Sequence, residues 1–146
     1  MDHRVEQTIA LWLPGIAVEE TSDPLWNVLA YRVARCLLDL SQGDAVILIA
    51  QVDPKTVSQL ARAVASIGAN VAEGYSRRSS ADRSRFYGYA LGSTREAMVW
   101  YRSVAWCLAS EAIELRMAFL TQQRRLLIGM LKSVQRKETP PLEPGA

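Results

Sequence analysis

Apolar side chains recur every three or four residues along most of this chain, and only short stretches break the rhythm. Leu25, Val28, Leu29, Val33, Cys36, Leu37 and Leu40 trace one face of a helix. Asp23-Pro24 stands before it, a capping carboxylate followed by a residue whose missing N–H costs nothing at the first helical position. Gln42-Gly43 predicts the end, with Gly43 as a left-handed cap. The run Ala45–Ile49 reads as a strand or as a buried helical turn, and the helical surroundings favour the turn. Asp53-Pro54 repeats the cap-and-proline signal. It opens a second helix with Val57, Leu60, Ala61, Val64, Ile67 and Val71 on its apolar face and an end at Gly74. A third helix is predicted from about Asp82 to Ser110, behind a partial cap at Ser79-Ser80. A fourth runs from about Glu111 to Lys137, closed by Pro140-Pro141.

Four such helices with short links between the last three predict an all-α protein, an antiparallel four-helix bundle over residues 23–137. Ahead of it, residues 1–22 form an arm. Its apolar patch Ile9–Leu13 ends at the turn signal Pro14-Gly15 and docks on the bundle or on a neighbouring subunit. Residues 138–146 read as a flexible tail. The third helix carries two apolar rows. Phe86, Ala90, Ser93, Ala97, Tyr101, Val104 and Leu108 predict the bundle face, while Leu91, Met98 and Ala105, joined by Val99 and Trp106, fall elsewhere on its circumference. A helix apolar on most sides has to be buried on more than one of them. Leu91, Met98, Ala105 and Trp106 are therefore the predicted contact of a homo-oligomer.

Composition narrows the class. With 146 residues, 49% hydrophobic and 22% charged, the chain has the balance of one folded domain and not of a disordered or collagen-like one. The longest apolar run, Ala45–Ala50, falls well short of the roughly 20 residues that span a bilayer. The acidic start (Asp2, Glu6) is unlike a secretory signal. These features lead to the expectation of a cytoplasmic protein without a membrane partner. Cys36 and Cys107 sit in apolar helical context and read as free buried thiols. The single histidine, His3, lies in the arm, which argues against a His-based metal site or catalytic triad. No glycine-rich phosphate loop or dinucleotide fingerprint occurs. The expectation is a protein that is not an enzyme, with no metal and no cofactor.

Net charge is only +2, but its distribution is uneven. Residues 1–61 carry four Lys/Arg against eight Asp/Glu, whereas residues 62–102 carry seven against three. The predicted loop after the second helix supplies Arg77, Arg78, Arg83 and Arg85. Arg95 and Arg102 follow on the third helix at a spacing of seven, and Arg125, Lys132 and Arg136 share one side of the fourth. Arginine reads phosphate well because its fork is planar and always charged. Tyr75, Tyr87 and Tyr89 lie beside the basic loop and can stack on unpaired bases. This pattern points to RNA or single-stranded DNA. The alternative is a protein-interaction scaffold that binds no nucleic acid.

On the second helix, Gln59, Arg62, Ser66, Asn70 and Glu73 form a polar stripe, each three or four residues from the next. Ser and Asn are poor helix formers, so their midhelix positions predict hydrogen bonds; Glu73 has Arg77, Arg78 or Arg95 as candidate partners. Gly68 in Ser66–Ala69 and Gly92-Ser93 on the third helix predict a close approach of the two backbones.

The run Ser66-Ile67-Gly68-Ala69-Asn70-Val71-Ala72-Glu73-Gly74-Tyr75-Ser76-Arg77 resembles the signature of the four-helix bundle proteins encoded in intervening sequences of bacterial 23S ribosomal RNA genes. Arg85-Phe86 and Ala90-Leu91-Gly92-Ser93-Thr94-Arg95-Glu96 resemble that family's second block. The likeness spans roughly residues 25–135, with Ser66, Asn70, Glu73, Gly74, Gly92, Ser93 and Glu96 as its signature positions. The family includes the accessory variability determinant of diversity-generating retroelements. The resemblance implies an up-down bundle in a ring-like homo-oligomer, a pentamer, with no catalysis. It also implies a nucleic-acid partner and a role as accessory subunit to a reverse transcriptase. The arm 1–22 and the link 41–55 depart from the family pattern.

Overall fold

The computed structural model describes residues 1–138, whose regular elements are all helical, with no strand among the described residues. The six α-helices are α1 His3–Trp12, α2 Val18–Thr21, α3 Leu29–Leu48, α4 Pro54–Ser76, α5 Ser80–Ser103 and α6 Ser110–Glu138. Short polar side chains start several of these elements. The Asp2 carboxylate accepts from the Arg4 N–H at 2.9 Å, and the Ser79 hydroxyl accepts from the Asp82 N–H at 3.1 Å. Helix α3 packs on α4, α4 on α5, and α5 on α6; α6 returns to α3, and α1 lies on α6 and α3. Of the tail expected over 138–146, residues 139–146 lie outside the described residues.

Several boundaries differ from the sequence reading. Asp23 does cap, accepting from the Leu25 N–H at 2.8 Å, but it opens only a 3-10 turn, Pro24–Asn27. Val28 is extended, so α3 starts at Leu29. Nor does α3 stop at Gly43. It runs to Leu48, which shrinks the expected link 41–55 to residues 49–53. Glycine within a helix costs about 1 kcal/mol relative to alanine. The extra turn offsets this by carrying Asp44 and Leu48 into the interior. The segment 45–49 is thus helical as favoured, although Val46, Ile47 and Ile49 face outward and only Leu48 is buried. Helix α5 ends at Ser103, seven residues before the predicted stop, and a 3-10 turn Ala105–Cys107 leads to α6.

The arm packs on its own chain. Val5 is fully buried, and Ile9 and Trp12 pack against the main core. Trp12 stacks on Trp26 with centroids 5.8 Å apart, and its indole N–H donates to Asp39 at 2.8 Å. Arg35 pairs with Glu20 and Asp39 beside it, which ties the segment 18–21 to α3.

The buried side of α5 is Tyr87, Ala90, Thr94, Ala97, Met98 and Tyr101, followed by Val104. It is rotated from the predicted face: Phe86 and Ser93 are only half-buried, and Met98, assigned to a second subunit, is 6% exposed inside the protomer's own core. Leu91 packs half-buried on the cluster around Leu127, and Ala105 is half-buried in the 3-10 turn. Only Val99 and Trp106 of the outer group are well exposed. The physical reason is that α5 has α4 on one flank and α6 on the other, so two neighbours in the same chain cover a wide arc. The predicted continuous second row is therefore corrected to two isolated outer residues.

Both cysteines are free thiols; Cys36 is fully buried and Cys107 half-buried. Burial, reinforced by the charge of Asp39, pushes the Cys36 thiol up to about 12. Unfolding lowers that value, so the folded chain holds a proton that the unfolded chain releases. The stabilisation is complete below the unfolded value near 9 and is lost as pH rises toward the folded one. Denaturation midpoints measured from pH 8 to 11 should fall, with Cys36 alone contributing about 1.4 kcal/mol per pH unit above the unfolded value. A disulfide reagent at pH 8 should titrate one thiol in the native chain and two in denaturant. Two rapid native thiols would contradict the buried position of Cys36.

Candidate nucleic-acid interface

The α4–α5 hairpin gathers cations and aromatic rings within a short stretch of chain. Arg77 pairs with Glu73 at 3.1 Å, which selects one of the three partners considered for that carboxylate. Its guanidinium lies 4.9 Å from the Phe86 ring centroid, and that of Arg85 lies 5.2 Å from the same ring. Arg85 is held in turn by Asp82 at 3.0 Å. Phe86 meets Tyr89 edge-on, with centroids 5.8 Å apart. Arg83 donates from Nε to the Arg77 carbonyl at 2.7 Å, closing the turn. Arg78 is exposed and has no ion-pair partner among the described residues.

The three tyrosines of this region separate. Tyr87 is buried against Gly74, and burial raises its hydroxyl above the ordinary tyrosine range. Tyr75 and Tyr89 remain exposed, at 39% and 52%. Phe86, expected on the bundle face, instead stands between two guanidinium groups. Arg83 and Tyr87 also reach the last turns of α6, where they line a cleft of about 180 Å³ with Met130, Ser133, Val134 and Lys137. Lys137 was not among the predicted binding residues, because Arg83 and Tyr87, which it faces across this cleft, are distant in sequence.

The basic ridges occupy the outer surface of adjacent helices. Arg95 and Arg102 on α5, and Arg125, Lys132 and Arg136 on α6, are all exposed, and none has an ion-pair partner among the described residues. Arg125 lines a groove between α1 and α6 with Asp2, Arg4 and Glu114, so acidic groups stand near that end of the ridge.

The polar stripe of α4 leads into a second feature. Gln59, Arg62, Ser66 and, from α5, Glu96 line a groove of about 260 Å³. At its floor the Ser66 and Ser93 hydroxyls hydrogen-bond across the two helices. Glu96 accepts from the Trp100 indole at 3.3 Å. Asn70 turns back onto its own helix, donating to the Ser66 carbonyl at 2.8 Å. Of the signature positions, Ser66 and Glu96 line this groove, Ser93 bonds to Ser66, and Glu73 and Gly74 belong to the hairpin, while Asn70 turns onto its own helix and Gly92 makes no close contact. The segments Ser66–Ala69 and Gly92-Ser93 do face each other, through the Ser66–Ser93 hydrogen bond, but the expected close approach at their glycines is corrected. A Cβ on Gly68 would meet Ala34 of α3 at 3.5 Å, while one on Gly92 would meet nothing within 4 Å. The close approach lies at Gly74, where a Cβ would come within 2.6 Å of the Tyr87 ring.

The buried polar cluster of the chain escaped sequence reasoning. Arg116 donates from Nε and a terminal nitrogen to the two oxygens of Asp44, at 2.8 and 3.0 Å, and the Tyr101 hydroxyl donates to the same carboxylate at 2.7 Å. Burial, with the nearby Asp44 charge, raises the Tyr101 hydroxyl; Arg116 stays charged because its bonds to Asp44 outweigh the cost of burial. This triad locks α3, α5 and α6 together. Among the described residues, no group of three or more His, Cys, Asp or Glu side chains could hold a metal ion, and no helix is long and apolar enough to cross a membrane.

Comparison with known proteins agrees with this architecture. A protein of unknown function from the S23 ribosomal protein family of Bacteroides thetaiotaomicron shares the fold at a TM-score of 0.67. The two sequences are 21% identical, and the likeness covers 71% of this chain and 99% of that one. Residues 49–118, which hold α4, α5 and the start of α6, match the family model of the 23S rRNA-intervening sequence proteins. No curated protein matches the chain.

Proposed function

We propose that this chain is an intervening-sequence-type protein: an antiparallel up-down four-helix bundle, α3 to α6, that assembles into a ring-like homo-oligomer and binds RNA or single-stranded DNA without catalysing a reaction. The observation that carries this reading is the set of exposed, unpaired cations Arg95, Arg102, Arg125, Lys132 and Arg136 on two adjacent helices. A single copy gives a modest positive face. Repeated around a ring, pentameric by the family resemblance, it becomes a band, and affinity grows with each phosphate neutralised. On α5 and its following turn, Val99, 61% exposed, and Trp106, 73% exposed, are the apolar side chains left open to a subunit contact. In this reading the protein serves in the cytoplasm as an accessory subunit, with the reverse transcriptase of a diversity-generating retroelement as the partner that the resemblance suggests.

The test is retention of a fluorescent RNA by the purified protein over a salt series. Binding should weaken steeply with salt. Changing Arg125, Lys132 and Arg136 together to alanine should lower affinity at least tenfold and flatten the logarithmic salt slope by about 2 to 3. Absence of retention at low salt, or retention indifferent to the triple change, overturns the proposal.

The second reading, a protein scaffold without nucleic acid, is favoured by the other end of the molecule. Val46, Ile47 and Ile49 at the end of α3 are exposed, and Trp106 is exposed on the turn that follows α5. The adjoining turns approach each other, with the Gln51 side-chain amide 3.5 Å from the Cys107 carbonyl. Recovery of one specific protein after nuclease treatment, with no nucleic acid, favours this scaffold.

A further inference from the structure

We propose that the cleft between the first turns of α5 and the last turns of α6 binds a phosphate group, in the form of a phosphomonoester, through Arg83, Lys137, Ser133 and Tyr87. Arg83 and Lys137 line this cleft together, and no acidic side chain lines it with them. No ion pair involves either residue among the described residues. Two cations gathered without a counter-charge repel each other, and a dianion between them reverses that cost. Arg83 is already set for this role. Its Nε donates to the Arg77 carbonyl at 2.7 Å, which fixes the guanidinium and leaves both terminal nitrogens for a ligand.

Tyr87 points to the same ligand independently. It is 7% exposed and lines the cleft, yet its hydroxyl has no hydrogen-bond partner among the described residues. Burial raises that hydroxyl above the ordinary tyrosine range while the neighbouring Arg83 charge pulls the other way, so the phenol keeps its proton and can donate it in a hydrogen bond. A buried hydroxyl without a partner is costly, and a ligand oxygen beside Arg83 satisfies it. Ser133, half-buried on α6, adds a second hydroxyl, and Met130 and Val134 complete the wall with apolar surface. At about 180 Å³ the cleft is smaller than the roughly 300–1,000 Å³ of a pocket that encloses a whole small molecule. It suits a charged group at the end of a molecule. A terminal phosphate carries a charge of about −1.5 to −2 and three acceptor oxygens. That matches two cations and two hydroxyls better than the single charge of a carboxylate or a phosphodiester. The site does not depend on the basic ridges, because Arg125, Lys132 and Arg136 are absent from its wall.

The test titrates the full chain into phenyl phosphate and follows saturable broadening of its phosphorus NMR signal, with dimethyl phosphate as the diester control. The monoester should bind about tenfold more tightly than the diester. Lys137→Gln should weaken phenyl phosphate binding about tenfold, and Tyr87→Phe about threefold. Because the Tyr87 hydroxyl has no partner within the protein, Tyr87→Phe without ligand should melt no lower than the parent, which separates a lost ligand contact from a lost fold. A short RNA with and without a 5′-phosphate then distinguishes the source of the group. A preference of about tenfold for the phosphorylated strand, abolished by Lys137→Gln, identifies the ligand as a strand end. Equal binding of the two RNAs beside intact phenyl phosphate binding identifies it as a small phosphate ester. No saturable broadening, equal binding of monoester and diester, or a Lys137→Gln protein that binds phenyl phosphate as the parent does overturns the proposal. The combined Arg125, Lys132 and Arg136 change should leave phenyl phosphate binding intact, so failure of the ridges and failure of the cleft are read separately.

Discussion

Replacing Arg116 by alanine should cost the folded chain about 3–5 kcal/mol, the range for removing one partner of a buried ion pair. Asp44 is 3% exposed and Arg116 8%, so the loss leaves a carboxylate inside the core with only the Tyr101 hydroxyl to solvate it. Chemical denaturation of the purified protein measures the change. Tyr101→Phe should cost less, about 1–2 kcal/mol, because it removes one hydrogen bond and leaves the ion pair. Exchanging the triad for apolar residues of similar volume, Asp44→Leu with Arg116→Met and Tyr101→Phe, should recover most of the loss. An Arg116→Ala protein as stable as the parent would mean that the triad is open to water.

Gly74→Ala should destabilise by about 1–3 kcal/mol, although alanine is the better helix former. The added methyl group would lie 2.6 and 2.7 Å from two carbons of the Tyr87 ring and 3.3 Å from Phe86 Cβ. Tyr87 is buried and cannot swing away without opening the hairpin. The same substitution at Gly92, where the new methyl group meets nothing, should instead stabilise by about 0.5–1 kcal/mol. Thermal melts of the two variants side by side provide the check, and equal melting temperatures would contradict the packing described.

The positions of the long helices were readable because their causes are local. Asp53-Pro54, Ser79 and the three- and four-residue apolar spacing act within one or two turns, and the structure has helices α4, α5 and α6 close to those signals. The error at Gly43 shows the limit of such signals. A glycine within a helix reads as a stop until the burial of Asp44 and Leu48, which depends on other helices, outweighs its cost. Gln123 shows the same from the opposite side. It is fully buried with neither side-chain polar atom paired, although its polarity in sequence argues for the surface.

The candidate site divides along the same line. Sequence alone determined the helical class, the cluster of arginines and aromatic residues over residues 75–89, and the ridges at spacings of seven and four, since all of these depend on neighbours along the chain. Tertiary structure alone decided which flank of α5 is covered, that Gly74 must lack a side chain, that Lys137 stands across from Arg83, and that Asp44 finds Arg116 72 residues away. The reason is that burial, charge pairing and steric contact depend on distance in space, and the periodicity of one helix does not specify which neighbours will surround it.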